Sequence, residues 1–304
     1  MPLRHATLRQ LRVFESVARK LSFSRAAAEL HLSQPAVSMQ VKLLEEQAGL
    51  PLFERLGKKV FLTEAGAELH HYSRVIAQQL RDAEEALAAR QGLSQGRLVI
   101  AMVSTAKYLV PPLLARFLKR HPGVTVKLSA NNREVVLRQL ADNEVDLAIM
   151  GRPPEGMAAV AEPFARHPHV IIAAPGHPLA KKRRIALARL AQETFLIREP
   201  GSGTRGLLER LFAEHRLPLN VSMEMASNET IKQAVRAGMG ISLLSLHTIG
   251  LELKTRRLAV LDVQGLPIVR DWYAVHLAAK RLSPLAQAFK DFLLSAAGKL
   301  VPEK

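Results

Sequence analysis

The sequence contains no cysteine, which excludes a disulfide framework and any thiolate metal site. That fits a reducing compartment. No apolar run is long enough to span a bilayer. The stretch Leu11–Leu21 is broken by Arg12, Glu15, Arg19 and Lys20, so the basic–apolar–small order of a signal peptide is missing. The expectation is a cytoplasmic protein with no membrane partner. Acidic charge is in deficit: 43 Lys/Arg against 27 Asp/Glu leave a net charge of +16, which points to polyanionic partners. Residues 1–63 carry 10 basic and 5 acidic residues, so +11 of the excess lies beyond them. A basic soluble surface explains part of that excess. The rest fits DNA or an anionic small molecule. Catalytic signatures are absent as well. There is no G-x-S-x-G elbow, and PGSGTR at Pro200–Arg205 lacks the spacing of a Walker loop. Neither an enzyme nor a cofactor is expected.

What is present is organised around Ser22–Gln47, SFSRAAAELHLSQPAVSMQVKLLEEQ. It predicts two helices joined by a tight turn. The first, from about Ser24 to Leu30, buries Ala26, Ala27 and Leu30, and His31 with Leu32 makes the turn. Ser33 sits where an N-cap belongs, with Pro35 in the first turn, where a missing N–H costs nothing. In the second helix Val37, Val41, Leu44 and Ala48 form one apolar stripe. Gln34, Pro35, Ser38, Met39 and Lys42 lie on or beside the opposite face. Gln can read adenine, Ser either base, and Lys a phosphate or guanine. Periodicity alone also fits a helical hairpin with a solvated face.

The flanks complete a winged unit. Leu11, Phe14, Val17, Ala18 and Leu21 mark a supporting helix. In Leu50–Gly66, Leu52 and Phe53 return to the core, and Arg55, Lys58 and Lys59 surround Gly57 at a hairpin tip. Val60–Leu62 is the return strand. A basic tip beside a recognition helix can reach the minor groove or the backbone. Ser33, Gln34, Pro35, Ser38, Met39, Lys42, Arg55, Lys58 and Lys59 are therefore the candidate DNA contacts. Taken together, LRVFESVARKLSFSRAAAELHLSQPAVSMQVKLLEEQAGLPLFER and the following LTEAG resemble the LysR-type transcriptional regulators. The tip Gly57-Lys58-Lys59 departs from the Arg-rich tip of many members. The wing, the turn REPGSGTR and the run GMGISLLSLHTIGLEL further resemble the CbbR group of that family, which serves RuBisCO and Calvin-cycle operons.

Residues 64–91 predict one long helix whose Leu69, Tyr72, Ile76, Leu80, Ala83 and Leu87 make a narrow apolar seam, the pattern of a two-helix coiled coil. A homodimer through this helix is expected. Packing of the seam against the chain's own C-terminal part is the alternative. Gln91–Gly96 reads as a hinge. Beyond it strands and helices alternate. The expected strands are Leu98–Val103, Val124–Leu128, Leu147–Met150, Val170–Ala174, Phe195–Ile197, Val221–Met225, Ile241–Leu244 and Arg270–Leu277. The helices are Lys107–Arg120, with a possible kink at Pro111-Pro112, then Glu134–Asn143, Thr204–Arg216, Glu229–Ala237 and Pro284–Ala297. Periodicity gives only an open α/β domain. The resemblance implies a winged helix-turn-helix head (1–63), a linker helix (64–91) and a two-lobed effector domain (92–304) like the periplasmic binding proteins. Its first lobe would take about 97–164 with 268–304, and its second about 165–267. The resemblance also implies a homotetramer and contact with RNA polymerase.

Ligands in such sheets bind beyond the carboxyl ends of strands. The turns there carry Ser104 and Thr105; Ser129, Asn131 and Asn132; Ser202, Gly203, Thr204 and Arg205; and Ser227 and Asn228. Helix N-termini expose free N–H groups and favour anions. Ordinary capping accounts for any one turn, whereas several converging on a cleft make a binding site. In the resembling family the strand after Gly240 borders the effector cleft. That keeps Ile241 as a candidate, although close packing is the favoured reading for Ile241 and Leu243. His167, His169 and His177 share one segment without a carboxylate at ligand spacing, and read as inter-lobe surface rather than a metal site. The reading is a regulator that binds a double-stranded promoter palindrome and senses a phosphorylated or otherwise anionic metabolite. A two-lobed solute-binding or enzymatic protein with an accessory helical head is the alternative, as is a LysR-type regulator of another pathway.

Overall fold

The structure, a computed structural model, describes residues 2–57, 59–90 and 96–296. Lys58 at the wing tip, Gln91–Gln95 of the expected hinge and Ala297 of the expected last helix lie outside the described residues. Among the described residues, 1–87 (with 142–144) and 88–141 with 145–304 form two compact units.

The first unit opens with a 3₁₀ turn at Pro2–His5 and continues with α1 (Leu8–Lys20), α2 (Phe23–Leu30) and α3 (Gln34–Ala48). Local chemistry sets these boundaries. Thr7 and Gln10 cap α1 reciprocally. The Ser22 hydroxyl accepts from the Arg25 N–H, and the Ser33 hydroxyl from the Ala36 N–H, both at 3.3 Å. His31 closes α2 in the left-handed region at φ 54°. The seat of α3 is built by Val13, Val17, Ala26, Ala27, Val37 and Val41, all buried, with Leu30 half-buried beside them. Leu21 departs from its expected core role. It ends α1 at φ 46°, which turns its side chain outward. β1 (Phe53–Leu56) and β2 (Lys59–Leu62) pair antiparallel through Leu56 opposite Lys59, and α4 (Glu64–Arg90) follows. Gly66 lies against the Leu52 carbonyl, where a Cβ would come within 1.9 Å of the oxygen. Leu69 packs into the head's core beside Phe14, Leu44 and Leu52 and so does not join the seam. Tyr72, Ile76, Leu80 and Leu87 are exposed along α4.

The second unit contains β3 (Gly96–Val103), α5 (Val110–Leu118), β4 (Val124–Asn131), α6 (Arg133–Ala141), β5 (Leu147–Met150) and β6 (Ala159–Ala173). Then come α7 (Leu187–Leu190), β7 (Phe195–Arg198), α8 (Gly203–Glu214), β8 (Val221–Met225), α9 (Asn228–Arg236) and β9 (Ser242–Ser245). α10 (Gly250–Lys254), β10 (Ala259–Val260), β11 (Ile268–Leu277) and α11 (Pro284–Ala296) complete it. β4, β3 and β5 are parallel. β11 runs antiparallel between β5 and β6, and β6 carries β9 and β10 beyond. β7 and β8 pair in parallel.

Two packing centres result. One lies around Leu98, Ile100, Leu113, Phe117, Ile149 and Phe289. The other lies around Ile171, Phe195, Leu208, Phe212, Ile241 and Leu243. We call them the first and second lobes; β6 and β11 run through both. Two expectations are corrected. The single helix over Lys107–Arg120 is a 3₁₀ turn, Ser104–Tyr108, followed by α5. Pro111 and Pro112 stand in the first turn of α5, where no N–H is needed, so they start a helix rather than kink one. The strand expected over Val170–Ala174 begins at Ala159. Its added length carries Pro163 and Pro168, which the ladder tolerates because that part of β6 pairs on one flank alone, with β11.

A buried ion pair braces the first lobe. Lys280 Nζ donates to Asp146 Oδ1 at 3.0 Å and to the Val145 carbonyl at 2.9 Å. Asp146 Oδ2 also accepts the Val99 N–H at 2.8 Å. Removing one partner strands a buried charge, at a cost of about 3–5 kcal/mol. Asp146→Ala is therefore expected to lose about that much stability in urea unfolding, followed through the fluorescence of Trp272, the only tryptophan. A loss below about 1 kcal/mol would show that the pair contributes little.

Candidate functional site

In the head, α3 presents one face to solvent. Gln34, Pro35, Met39 and Lys42 are exposed and Ser38 is half-buried, while Val37, Val41 and Leu44 are buried behind them. Gln34 Nε2 donates to Ser38 Oγ at 2.9 Å, so the two polar groups are held side by side. Lys42 stands 3.9 Å from Glu46 with most of its surface free, a weak pairing that leaves the ammonium available. The Ser33 hydroxyl is used as the cap of α3. In the wing, the Arg55 guanidinium lies 5.4 Å from the centroid of the Phe23 ring, and Lys59 is exposed. Such an array of donors on a short buried-backed helix suits base edges and phosphates.

The second unit holds a cavity of about 490 Å³. Its walls come from the end of β3, the start of α6, the turn after β5, the later half of β6, the start of β11, the β7–α8 turn and α8. Ser104, Thr105, Asn132, Ser202, Gly203, Thr204 and Arg205 line it as expected. Ser202 is the N-cap of α8 but makes no side-chain capping bond. The first N–H groups of this twelve-residue helix thus make no bond to its own N-cap side chain. Gly201 permits the preceding turn at φ 78°, where a Cβ would also meet the Glu134 carboxylate at 2.9 Å.

The other candidates do not line this cavity. Ser129 and Asn131 both donate to Gln139 Oε1, at 3.4 and 3.3 Å. Ser227 caps α9. Asn228 is buried, and its Oδ1 accepts from Arg198. Ile241 is wholly buried, its backbone paired with Thr194 and Leu196 in the second lobe's core. Arg205 reaches the wall with its guanidinium already committed to Glu209 at 2.7 Å and to Glu224. Hydrogen bonds to those two carboxylates raise its pKa. His167 and His169 are not surface residues: each is 3 % exposed, and both line the cavity.

What sequence reasoning missed is a set of arginines. Arg133, Arg152, Arg198, Arg210 and Arg270 all line the cavity, against one carboxylate there, Glu209. Arg133 is anchored by donating to the carbonyls of Arg152 and Pro153, at 2.6 and 2.9 Å. Arg198 bridges the lobes. It grips Glu199 with two bonds, at 2.7 and 2.8 Å, and donates to Ser104 Oγ at 3.0 Å. Among the described residues neither Arg210 nor Arg270 has a carboxylate in ion-pair range. Burial, then Arg210, Arg152 and Arg133, push Arg270 down to about 10. Like charges gathered this way favour an anion between them. One signal was available: Arg133 and Arg152 follow closely on the ends of expected strands, where ligands bind. Arg270 comes from the distant return strand, and nothing local announces it.

Comparison with known proteins now identifies the chain. Residues 8–67 match the family described as "Bacterial regulatory helix-turn-helix protein, lysR family", and residues 91–298 match the "LysR substrate binding domain". The RuBisCO operon transcriptional regulator of Allochromatium vinosum is 56 % identical over 97 % of this chain and 98 % of its own. The HTH-type transcriptional regulator CfxR of Cupriavidus necator is 53 % identical over 96 % of this chain and 92 % of its own. Among solved structures, the CcmR regulatory domain of Synechocystis PCC6803 in complex with 2-PG is 43 % identical. It covers 68 % of this chain and 99 % of its own, with a TM-score of 0.66. Two family domains spanning nearly the whole chain, with full-length relatives above half identity, show that it belongs to the LysR family of bacterial transcriptional regulators.

Proposed function

We propose that this chain regulates the RuBisCO operon and related carbon-fixation genes, binding promoter DNA through α3 and the wing and sensing a small phosphorylated anion in the second unit's cavity. The observation that carries the effector class is the cavity where Arg133, Arg152, Arg210 and Arg270 meet the uncapped start of α8. The RuBisCO-operon relatives and the 2-PG complex of CcmR support the pathway and the ligand chemistry. The head would comprise residues 1–63, the linker 64–91 and the effector domain 92–304, acting in the cytoplasm without a cofactor or a catalytic activity of its own. Two copies would pair along α4, where Tyr72, Ile76, Leu80 and Leu87 are exposed. A tetramer through the effector domains, and contact with RNA polymerase, belong to the same reading. The working model is that effector binding changes the spacing of the heads or the bend of the DNA.

Four measurements test this. Gln34→Ala and Ser38→Ala should each cost about 1–3 kcal/mol of discrimination between operator and mismatched sites, read by footprinting. Unchanged footprints and affinity would remove α3 as the reading element. Ile76→Glu with Leu80→Glu should lower the oligomeric state in sedimentation at micromolar concentration, by removing the α4 contact while leaving the effector-domain one; an unchanged oligomeric state would move the interface off α4. For the effector, a thermal-shift screen of phosphorylated acids comes first, because a ligand held at 100 times its Kd adds about 2.7 kcal/mol to stability. Arg270→Ala should then weaken the best binder about tenfold or more in calorimetry, the loss of one charge-assisted bond. Arg205→Ala should weaken it less, since Glu209 and Glu224 already hold that side chain. Equal affinity in wild type and Arg270→Ala would exclude this cavity as the site.

A further inference from the structure

The floor of the cavity holds an imidazole that nothing so far accounts for. His167 is 3 % exposed and stacks on Trp272, with centroids 3.7 Å apart and planes 17° from parallel. Among the described residues both its ring nitrogens are buried without a hydrogen-bond partner. Such orphaned nitrogens are costly unless something bonds to them. The ring's position is enforced. A Cβ on Gly151 would stand 2.7 Å from His167 Nδ1, so only glycine leaves room there. Its neighbour His169 differs: Nδ1 lies 3.1 Å from the His167 carbonyl, a bond that commits that ring.

We infer that His167 contacts the bound anion and takes up a proton as the anion enters, which makes effector affinity depend on pH. The inference rests on the reading of this cavity as the effector site. The groups facing His167 decide the sign. On its own strand is His169; from β11 come Arg270 and Trp272; from the Leu246–Thr248 turn comes His247, its centroid 6.0 Å away. Arg152, Arg210 and Glu209 share the cavity wall. Burial first, then His169, His247 and Arg270, hold the imidazole well below its ordinary value, so it is neutral near pH 7. An anion beside it reverses the balance by favouring the charged ring. The face of Trp272 adds to this, because a cation over an indole is attracted to it. The folded-state value is therefore depressed without ligand and raised with it. Between those two values binding takes up a proton, and affinity rises as pH falls. The surrounding arginines offer donors alone, so a neutral imidazole is also a place in this cavity for a ligand hydroxyl to donate.

The test uses the full-length protein with 2-phosphoglycolate as probe, at several pH values between 6 and 8. Calorimetry in two buffers of different ionisation heat counts the protons exchanged. The probe's own titration is common to wild type and variants and cancels in the comparison. Wild type should take up a larger fraction of a proton than His167→Gln, and its affinity should rise several-fold more between pH 8 and pH 6. A second readout is intrinsic: a protonated imidazole quenches the indole it stacks on, and Trp272 is the only tryptophan. Binding should quench wild type, more strongly at lower pH, and should leave His167→Phe unquenched. Equal proton counts in wild type and His167→Gln overturn the inference while leaving the effector site standing. If neither variant folds, a wild-type fluorescence change that is independent of pH overturns it. Absence of binding by any phosphorylated acid removes both the site and this inference.

Discussion

Four guanidinium groups, those of Arg133, Arg152, Arg210 and Arg270, stand around one cavity with a single carboxylate in its lining. Arg133 and Arg270 are half-buried, and burial first, then repulsion from Arg210, Arg152 and Arg133, depresses Arg270. Much of the second unit can be understood as scaffolding that holds these charges in place. The carbonyls of Arg152 and Pro153 fix Arg133. β11 carries Arg270 and Trp272 along β6, and α8 carries Arg210. An anion bound there would relieve repulsion as well as gain hydrogen bonds. It would thus favour whatever arrangement of the two lobes brings the arginines onto it.

The lobes are also tied by their own side chains. Arg198, at the end of β7 in the second lobe, donates to Ser104 at the end of β3 in the first. Tyr108 donates to Glu229 across the same edge. Lys232 lies beneath, paired with Glu229 at 2.9 Å and Glu252 at 2.8 Å. These contacts set a resting relation between the lobes that ligand binding would compete with or reinforce. Arg198 is the point where the two demands meet, since it lines the cavity while holding the inter-lobe bond.

How much of this the sequence discloses follows from the range of the interactions. The helix–turn–helix was legible because its determinants are local: the Ser33 cap, the Pro35 start and the Val37–Val41–Leu44 stripe lie within a dozen residues. Most strands of the effector domain were legible for the same reason, as short apolar runs. The stretch of β6 before Val170 was not, because Pro163 and Pro168 mask a strand that pairs along one flank there. In the cavity, hydroxyl and amide residues at strand ends were found, and the arginines that dominate its charge were not. Arg205 stood in the most suggestive turn, yet Glu224, nineteen residues on, claims it. His167 reads as surface because a polar residue between prolines carries no periodic sign of burial. Leu69 fits the seam by spacing but is claimed by the head, a tertiary preference that spacing cannot rank.

Glu45 has a quiet consequence for DNA reading. From the last turns of α3 its Oε1 accepts the N–H groups of Leu52 and Phe53, at 2.8 and 3.2 Å. Those residues begin the wing, so one carboxylate rivets the wing's root to the reading helix, and the Arg55–Phe23 stack adds a second fastening on α2. Helix and wing then move as one rigid gauge with a fixed span. A duplex meeting such a gauge must supply the matching groove widths itself. If α3 and the wing read the operator as proposed, operators would be sorted by how cheaply their untouched base steps deform to that span, as well as by base contacts.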